Sequence, residues 1–534
     1  VSSRFEMLAV LALLCQVFSW SVESVSGFRI QVVQVAHRDV RSVALQFRAP
    51  RTTRAASGST SMQMPGLTDL LSAFQQKLKP PPAPPSLPVV GNLPLIGMEK
   101  AAGLGPPPHV LMSQLAEVYG DVMELQMGRD RWVVLSSPSA VHEAFVVKAN
   151  DFSGRPMVPS MSISSGGGQG FAQPQLTPEL KNLRRTAFSS LFDAAQVRRA
   201  QAELEEEAAL LAEHLAAVTA ASGGVEIRPV LRRGVTNFVL RYAFSSRVPY
   251  ATETAVPSSP LFRELVEVAD QIWSELTSTQ TTMADLIAPP SVAGAPSFEL
   301  QKLVRRRDAL LRRLVSLRRQ DRASANSSDP RDMLDALLDA SLTDSEVHYT
   351  LVDLFVAGVN TVSTQLEWFL LLTAKEPQVQ VRARADVKAG GDSRYTRALI
   401  KEVLRAKPPL LLPRQAVVDS SIGGYAVPAG RVVLANNWAL THGEDWWHKP
   451  SAFRPERWLE EERSLEGADA CKFIPYSTGR RMCPGSRLAD AELAAATHVL
   501  LRSVRWMSSK SPIDLREEYS LTLAPKLSQS LRFE

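Results

Sequence analysis

The run Pro475-Tyr-Ser-Thr-Gly479-Arg-Arg481-Met-Cys483-Pro-Gly485 sets one cysteine between two glycines and just after two arginines. A thiolate is a strong metal ligand and a thiol a poor one, so such a loop must keep its sulfur deprotonated and sheltered from water. Gly479 and Gly485 give the backbone freedom to bend amide N–H groups toward that sulfur. The stretch Ser486 to Val504 reads as a helix, with Leu488, Ala491, Leu493, Ala495, Val499 and Leu500 as candidate buried positions. Its amino-terminal dipole would face Cys483 and favour negative charge there. A buried structural cysteine is the plainer alternative for a lone Cys.

The run resembles the haem-binding loop of the cytochrome P450 family, Phe-x-x-Gly-x-Arg-x-Cys-x-Gly. Tyr476 stands at the Phe position and the other fixed positions match. The resemblance implies Cys483 as axial ligand of a haem iron and Arg481 as partner of a haem propionate, with Tyr476, Gly479 and Gly485 shaping the loop. It implies haem b (iron protoporphyrin IX) as cofactor. It also implies a fold that is mostly α with small β-sheets (α+β), the haem lying between a long central helix and the helix after the cysteine loop.

That central helix is expected from Thr343-Asp-Ser-Glu346, a capping-box signature, onward. Its apolar positions run through Val347, Leu351, Leu354, Phe355, Leu366, Phe369 and Leu372 until Pro377 stops it. About 30 residues at a rise of 1.5 Å make it roughly 45 Å long. In its middle lies Ala357-Gly358-Val359-Asn360-Thr361-Val362-Ser363. A mid-helix glycine costs about 1 kcal/mol relative to alanine, which suggests a close approach to the backbone. Thr361 can turn its hydroxyl onto a helical carbonyl and bend the helix. An apolar helix containing a threonine is, taken alone, ordinary core.

The segment is similar to the family's oxygen-binding helix, Ala/Gly-Gly-x-Asp/Glu-Thr. That similarity implies Ala357 and Gly358 lining an oxygen pocket, with Thr361 bonding dioxygen and helping to deliver protons. Asn360 departs from the pattern, because an amide cannot ionise although it orients water. Protons must then travel by water, Thr361, Ser363 or another residue, or the reaction must need fewer of them.

Three further motifs follow the family order. Glu402-Val-Leu-Arg405 places opposite charges on one helix face, and Phe453-Arg-Pro455-Glu456-Arg457-Trp458 follows about fifty residues later. By resemblance, Glu402, Arg405 and Arg457 form a charge triad that fixes geometry ahead of the cysteine loop. Arg414, after Pro413, matches a position whose guanidinium meets a propionate through parallel hydrogen bonds. Leu180-Lys-Asn-Leu-Arg184-Arg185 resembles the family's Trp-x-x-x-Arg helix, with Leu180 in place of Trp and Arg184 retained.

Charge and composition narrow the class. The formal charge of +5 over 534 residues invites a nucleic-acid reading, but residues 1–64 hold seven Arg against Glu6, Glu23 and Asp39. The excess belongs to this leader, so no nucleic-acid partner is expected. Three cysteines make no disulfide framework or zinc spacing. The acidic run Glu203 to Glu207 reads as a solvated helix face. Ser162 to Gly170 lacks the Lys of a phosphate loop and reads as a flexible loop near the haem.

Met7 to Val22, a mostly apolar run of 16 residues, fits a signal core or weak anchor, and Phe28 to Met64 resembles a transit peptide. Residues 1–64 are therefore read as a leader, 65–104 as an amphipathic segment with a Pro-rich hinge, and 105–534 as the catalytic domain. Membrane association through the N-terminal region is expected, with the endoplasmic reticulum, a plastid or a mitochondrion open as destinations.

The resulting expectation is a haem-thiolate monooxygenase inserting one atom of dioxygen into a small hydrophobic substrate such as a sterol, fatty acid or terpenoid. With no flavin or nicotinamide signature, electrons must come from a separate reductase or ferredoxin. Lys181, Arg185, Lys472 and Arg480 are candidates for its docking face. A haem-thiolate isomerase or dehydratase acting on a peroxide, and a non-catalytic haem sensor, are the alternatives.

Overall fold

The computed structural model describes residues 78–534, apart from 89, 96–105, 254–258, 279–280, 282–284, 286–297, 325–329, 391–392, 410–412, 461–465, 510–511 and 520–521. The leader, and the apolar positions 67–77, lie outside the described residues.

Helices dominate. Among the described residues those of seven residues or more are, in chain order, α1 (Pro108–Tyr119), α2 (Pro178–Thr186), α3 (Ala194–Ser222), α4 (Ile227–Phe244), α5 (Pro260–Thr277), α6 (Phe298–Ser324), α7 (Met333–Asp339), α8 (Asp344–Lys375), α9 (Pro377–Ala389), α10 (Arg394–Ala406) and α11 (Ser486–Ser503). The central helix α8 begins as its sequence dictates. The Glu346 amide donates to Thr343 Oγ1 at 3.2 Å while the Glu346 carboxylate accepts from the Thr343 amide at 2.8 Å, so two otherwise orphaned amides are satisfied. It runs for 32 residues, and Pro377 opens the next helix.

The core wraps this helix. Its carboxyl half, including Val362, Leu366, Trp368 and Phe369, packs with α3, α4 and α11. Its amino half, including Leu351, Phe355 and Val359, packs with α4, α5, α6 and α7. Each large apolar side chain so buried contributes about 1.5–3 kcal/mol. Trp368, fully buried, spends its one polar atom on the Leu523 carbonyl at 2.8 Å.

Four small sheets flank the helices. The largest has the order β1 (Val122–Met127), β2 (Asp130–Leu135), β7 (Val432–Ala435), β4 (Arg414–Gln415), with β2 and β7 parallel and the outer pairs antiparallel. A three-stranded sheet joins β3 (Val225–Glu226), β11 (Ser530–Phe533) and β8 (Trp506–Ser508). The pairs β5 (Ser420–Ile422) with β6 (Tyr425–Val427), and β9 (Glu517–Tyr519) with β10 (Leu523–Pro525), complete the set. The run Ile422 to Leu434, strand-like in sequence, is broken: Gly423 and Gly424 adopt φ of +58° and +79° and turn it into a hairpin before β7.

The Pro-rich stretch lies along the sheet. The Glu124 amide donates to the Pro82 carbonyl at 2.8 Å, the Asn92 amide to Gln126 at 2.6 Å and the Ala426 amide to Lys79 at 2.9 Å. The acidic run on α3 corrects its sequence reading. Glu205 and Glu206 are exposed, but Glu207 is wholly buried and accepts from Asn237 Nδ2 at 2.7 Å, Arg241 Nε at 2.9 Å and Arg247 Nε at 2.7 Å. A buried carboxylate needs such partners, and all three lie thirty or more positions away along the chain.

Candidate active site

The cysteine loop is folded by its own turns. The Cys483 amide donates to the Tyr476 carbonyl at 2.9 Å and the Met482 amide to Gly479 at 3.1 Å. Gly479 has a φ of +66°, and a Cβ there would collide with the Phe145 carbonyl, so this position demands glycine. Gly485 differs from expectation: its φ is −86° and a Cβ would meet open space. Its contribution is the amide, which bonds Cys483. Burial pushes the Cys483 thiol up, while that amide, Arg184 and Arg155 pull it back toward the thiolate. The half-buried Tyr476 ring carries its hydroxyl to Asp490 at 2.5 Å, a bond the family's Phe could not make.

Four guanidiniums gather around this loop. Arg184 donates to the Met482 carbonyl at 2.6 Å, and Arg481 Nε to the Ser153 carbonyl at 2.7 Å. Arg414 Nη2 donates to Thr478 O at 2.7 Å and Ser477 Oγ at 3.0 Å. Arg155, which the sequence reading missed, senses Arg184, Asp353 and Cys483 electrostatically. Among the described residues no carboxylate hydrogen-bonds any of the four. Arg414 and Arg481 are each only 1% exposed, yet Arg414 Nη1, both terminal nitrogens of Arg481 and Arg155 Nε have no partner among the described residues. Burial, then mutual repulsion, pulls Arg481 down to about 9 and Arg155 to about 10.

Central-helix residues form a second element. Ala357 and Thr361 are exposed although their helix is mostly buried. Thr361 donates to the Ala357 carbonyl at 2.6 Å, the back-bonding its position allows. A Cβ on Gly358 would meet Val239 at 3.4 Å, ordinary contact, so no described protein atom crowds that backbone. Asn360 is 7% exposed and its side chain makes no hydrogen bond among the described residues.

Asp353, one turn before Ala357, was also missed. It accepts from the Phe171 amide at 2.6 Å, and burial pushes its carboxyl up to about 7. The glycine-rich loop is tied to α8 here. Gly166 and Gly170 adopt φ of +59° and +63°, and side chains on them would strike Tyr349 and Asp353 respectively.

Glu402, Arg405 and Arg457 meet and are almost fully buried. Arg405 donates to Glu402 at 2.8 and 2.9 Å and Arg457 at 3.1 Å. Trp458 Nε1 adds a bond at 3.0 Å and the Arg454 amide one at 2.9 Å. Leu180 is fully buried. Of the docking candidates, Lys181, Arg185 and Arg480 are exposed, whereas Lys472 lies over the Trp447 ring at 4.8 Å.

A mostly helical unit with these small sheets and a thiolate loop ahead of its last long helix has the architecture of a haem enzyme. The chain belongs to the cytochrome P450 family: the family model described as Cytochrome P450 matches residues 81–532. It is similar to the steroid 17-alpha-hydroxylase/17,20 lyase of Ictalurus punctatus, 30% identical over 83% of this chain and 89% of that protein. It is also similar to the ferruginol synthase of Salvia fruticosa, 27% identical over 81% of this chain and 89% of that protein. A solved zebra fish cytochrome P450 with progesterone superposes with a TM-score of 0.69 at 29% identity, over 80% of this chain and 100% of that one. The chain is thus a P450 monooxygenase, with a haem cofactor, a redox partner, dioxygen and a hydrophobic substrate. Among the described residues no helix is long and apolar enough to cross a membrane.

Proposed function

We propose that the haem is haem b, held by Cys483 as axial ligand, and that the enzyme inserts one oxygen atom into a small polycyclic hydrophobic substrate of the sterol or terpenoid kind, fatty acids being the next class. The observation that carries the binding reading is the set of buried, unpartnered guanidinium nitrogens of Arg155, Arg414 and Arg481 beside the cysteine loop. A buried cation without an acid is costly, and a ligand bearing two carboxylates relieves it. Arg184 joins them through the loop carbonyl that it already holds.

When bound, haem supplies the oxygen chemistry, and electron donation by the thiolate favours O–O cleavage. The chain's own residues do the rest. Burial leaves the free Cys483 thiol raised, and the Gly485 amide, Arg184 and Arg155 oppose that, favouring the charged sulfur that an iron would hold. Ala357 and Gly358, small and uncrowded, leave room for dioxygen, and Thr361 presents a hydroxyl whose own proton is parked on the Ala357 carbonyl. Glu402, Arg405 and Arg457 fix the segment that leads into the loop, with Tyr476 and Gly479 setting its path. The substrate class draws support from the steroid hydroxylase relative. Electrons come from a separate reductase or ferredoxin docking near Lys181, Arg185, Lys472 and Arg480, and the N-terminal region meets a membrane surface.

The test is spectroscopic. Purified chain should take up haem and, reduced under carbon monoxide, show the thiolate-type absorption, which Cys483→Ser abolishes. Titration with sterols, terpenoids and fatty acids should shift the haem spectrum for the substrate class alone. An unchanged carbon-monoxide spectrum in Cys483→Ser would refute the ligand assignment.

A further inference from the structure

Monooxygenation consumes protons as well as electrons: dioxygen, a substrate C–H bond, two electrons and two protons yield an alcohol and water. Beside Thr361 this chain has Asn360, which cannot release a proton at ordinary pH. An acid on another element can supply that proton. Resting on the monooxygenase reading, we propose that Asp270 on α5 is the proton donor, working through water held in a cavity between α4, α5 and α8, with the Asn360 amide steering that water toward Thr361.

The cavity is lined by Asp270, Asn360, Thr236, Trp273 and apolar neighbours including Phe355 and Val359. Its volume is about 20 Å³, and one ordered water needs about 10–15 Å³ together with several polar partners. Those partners are present. Of the α8 residues lining the space, Phe355, Val356, Val359 and Asn360, only Asn360 is polar. The residue is 7% exposed and its side chain makes no hydrogen bond among the described residues, so its amide is open to a water partner. The Thr236 hydroxyl donates to the Arg232 carbonyl at 2.7 Å and keeps its lone pairs available.

Asp270 sits where a relay must. It lines the cavity, yet its side chain is 48% exposed, so the same carboxyl reaches inner water and bulk solvent. Arg232 Nη2 holds its Oδ1 at 2.6 Å, and its Oδ2 makes no hydrogen bond among the described residues. Other charges facing it are Arg233 on α4 and Arg307 on α6, whose donors are spent on Asp308 and Ser164. Burial of part of the carboxyl pushes Asp270 up and the two α4 arginines hold it down. Each proton leaving Asp270 is replaced from solvent and each electron comes from the redox partner, so the residue ends the cycle unchanged. Asp353, the other acid of this region, is bonded to Phe171 and does not line the cavity.

The experiment uses the full haem-loaded chain with a reductase, NADPH and a substrate that shifts its spectrum, and it divides consumed oxygen between released hydrogen peroxide and water plus product. Asp270→Asn should raise the peroxide share about tenfold or more. Adding Asn360→Asp, which restores an acid beside Thr361, should return it to near the wild-type share. That rescue is the second readout, since it supplies an acid beside Thr361 and restores none of the contacts of the α5 carboxylate.

A wild-type peroxide share in Asp270→Asn overturns the assignment. So does a raised share that Asn360→Asp leaves unrescued, since Asp270 would then act on structure alone. If Asp270→Asn fails to fold, Ala269→Leu, which fills the cavity and leaves the carboxyl in place, must raise the share. An unchanged share there is equally fatal. A wild type lacking the thiolate-type carbon-monoxide absorption brings down the monooxygenase reading itself; a normal absorption with an unchanged share brings down only the role of Asp270.

Discussion

Two buried arginine clusters stand in this fold, and they differ in one respect. Arg405 and Arg457 share the Glu402 carboxylate and give their remaining nitrogens to the carbonyls of Thr441, His448, Lys449 and Ala452. Arg414 and Arg481 are as deeply buried but keep nitrogens without a partner. The first cluster is complete in the chain itself, as a structural lock must be, because a half-satisfied buried network is worse than none. The second lacks such a carboxylate among the described residues and, on the proposed function, takes its anion from outside. Burial and residue type are alike in the two; the carboxylate makes the difference.

The comparison breaks most visibly at Glu402. Glu402→Ala strands two buried cations, and a loss of about 3–5 kcal/mol is expected, measured as a lowered unfolding midpoint or lost soluble yield; a wild-type midpoint would mean that the lock is ornamental. Arg481→Leu should act oppositely. It removes an unpartnered charge, so haem-free protein keeps or gains stability in urea, whereas haem binding weakens by about 1.5–3 kcal/mol, roughly tenfold to a hundredfold in affinity. Equal destabilisation of both forms would make Arg481 an ordinary structural residue.

Asp353 sharpens the contrast at smaller scale. It is the carboxyl nearest in influence to Arg155, yet burial raises it to about 7, so it is substantially protonated near neutrality and does not discharge the cluster. A raised carboxyl stabilises the fold below its unfolded value, near 4, and that contribution fades as pH climbs through about 7. The stability advantage of wild type over Asp353→Asn should therefore shrink by a few tenths to about 1 kcal/mol per pH unit between pH 5 and pH 7, followed by urea unfolding at each pH. A constant gap would place the titration elsewhere.

Local signals exposed the lock better than the open cluster. Glu402 and Arg405 lie three positions apart on one helix, and Thr343 and Glu346 announce the start of α8, because each pair interacts within a single turn. The glycine at 479 is equally legible, since a left-handed bend leaves few substitutes. Arg155 carries no such mark. Only the fold brings it near Arg184 and Cys483, and Ser153-Gly-Arg155-Pro reads in sequence as a loop. Glu207 misled for the same reason: a run of acids looks solvated until Arg241 and Arg247 arrive from another helix and a following loop. Asp353 was hidden by its setting, a single acid in an apolar helix whose partner is a backbone amide on the glycine loop.

The uncompensated guanidiniums also bear on the life of the protein before it works. A chain folded without its dianionic ligand carries its own repulsion, and the ligand then stabilises it in proportion to the logarithm of free concentration over dissociation constant. On the proposed binding, supply of that one small molecule would set how much of the polypeptide survives cellular surveillance, and these arginines would be a checkpoint on assembly as much as a cradle.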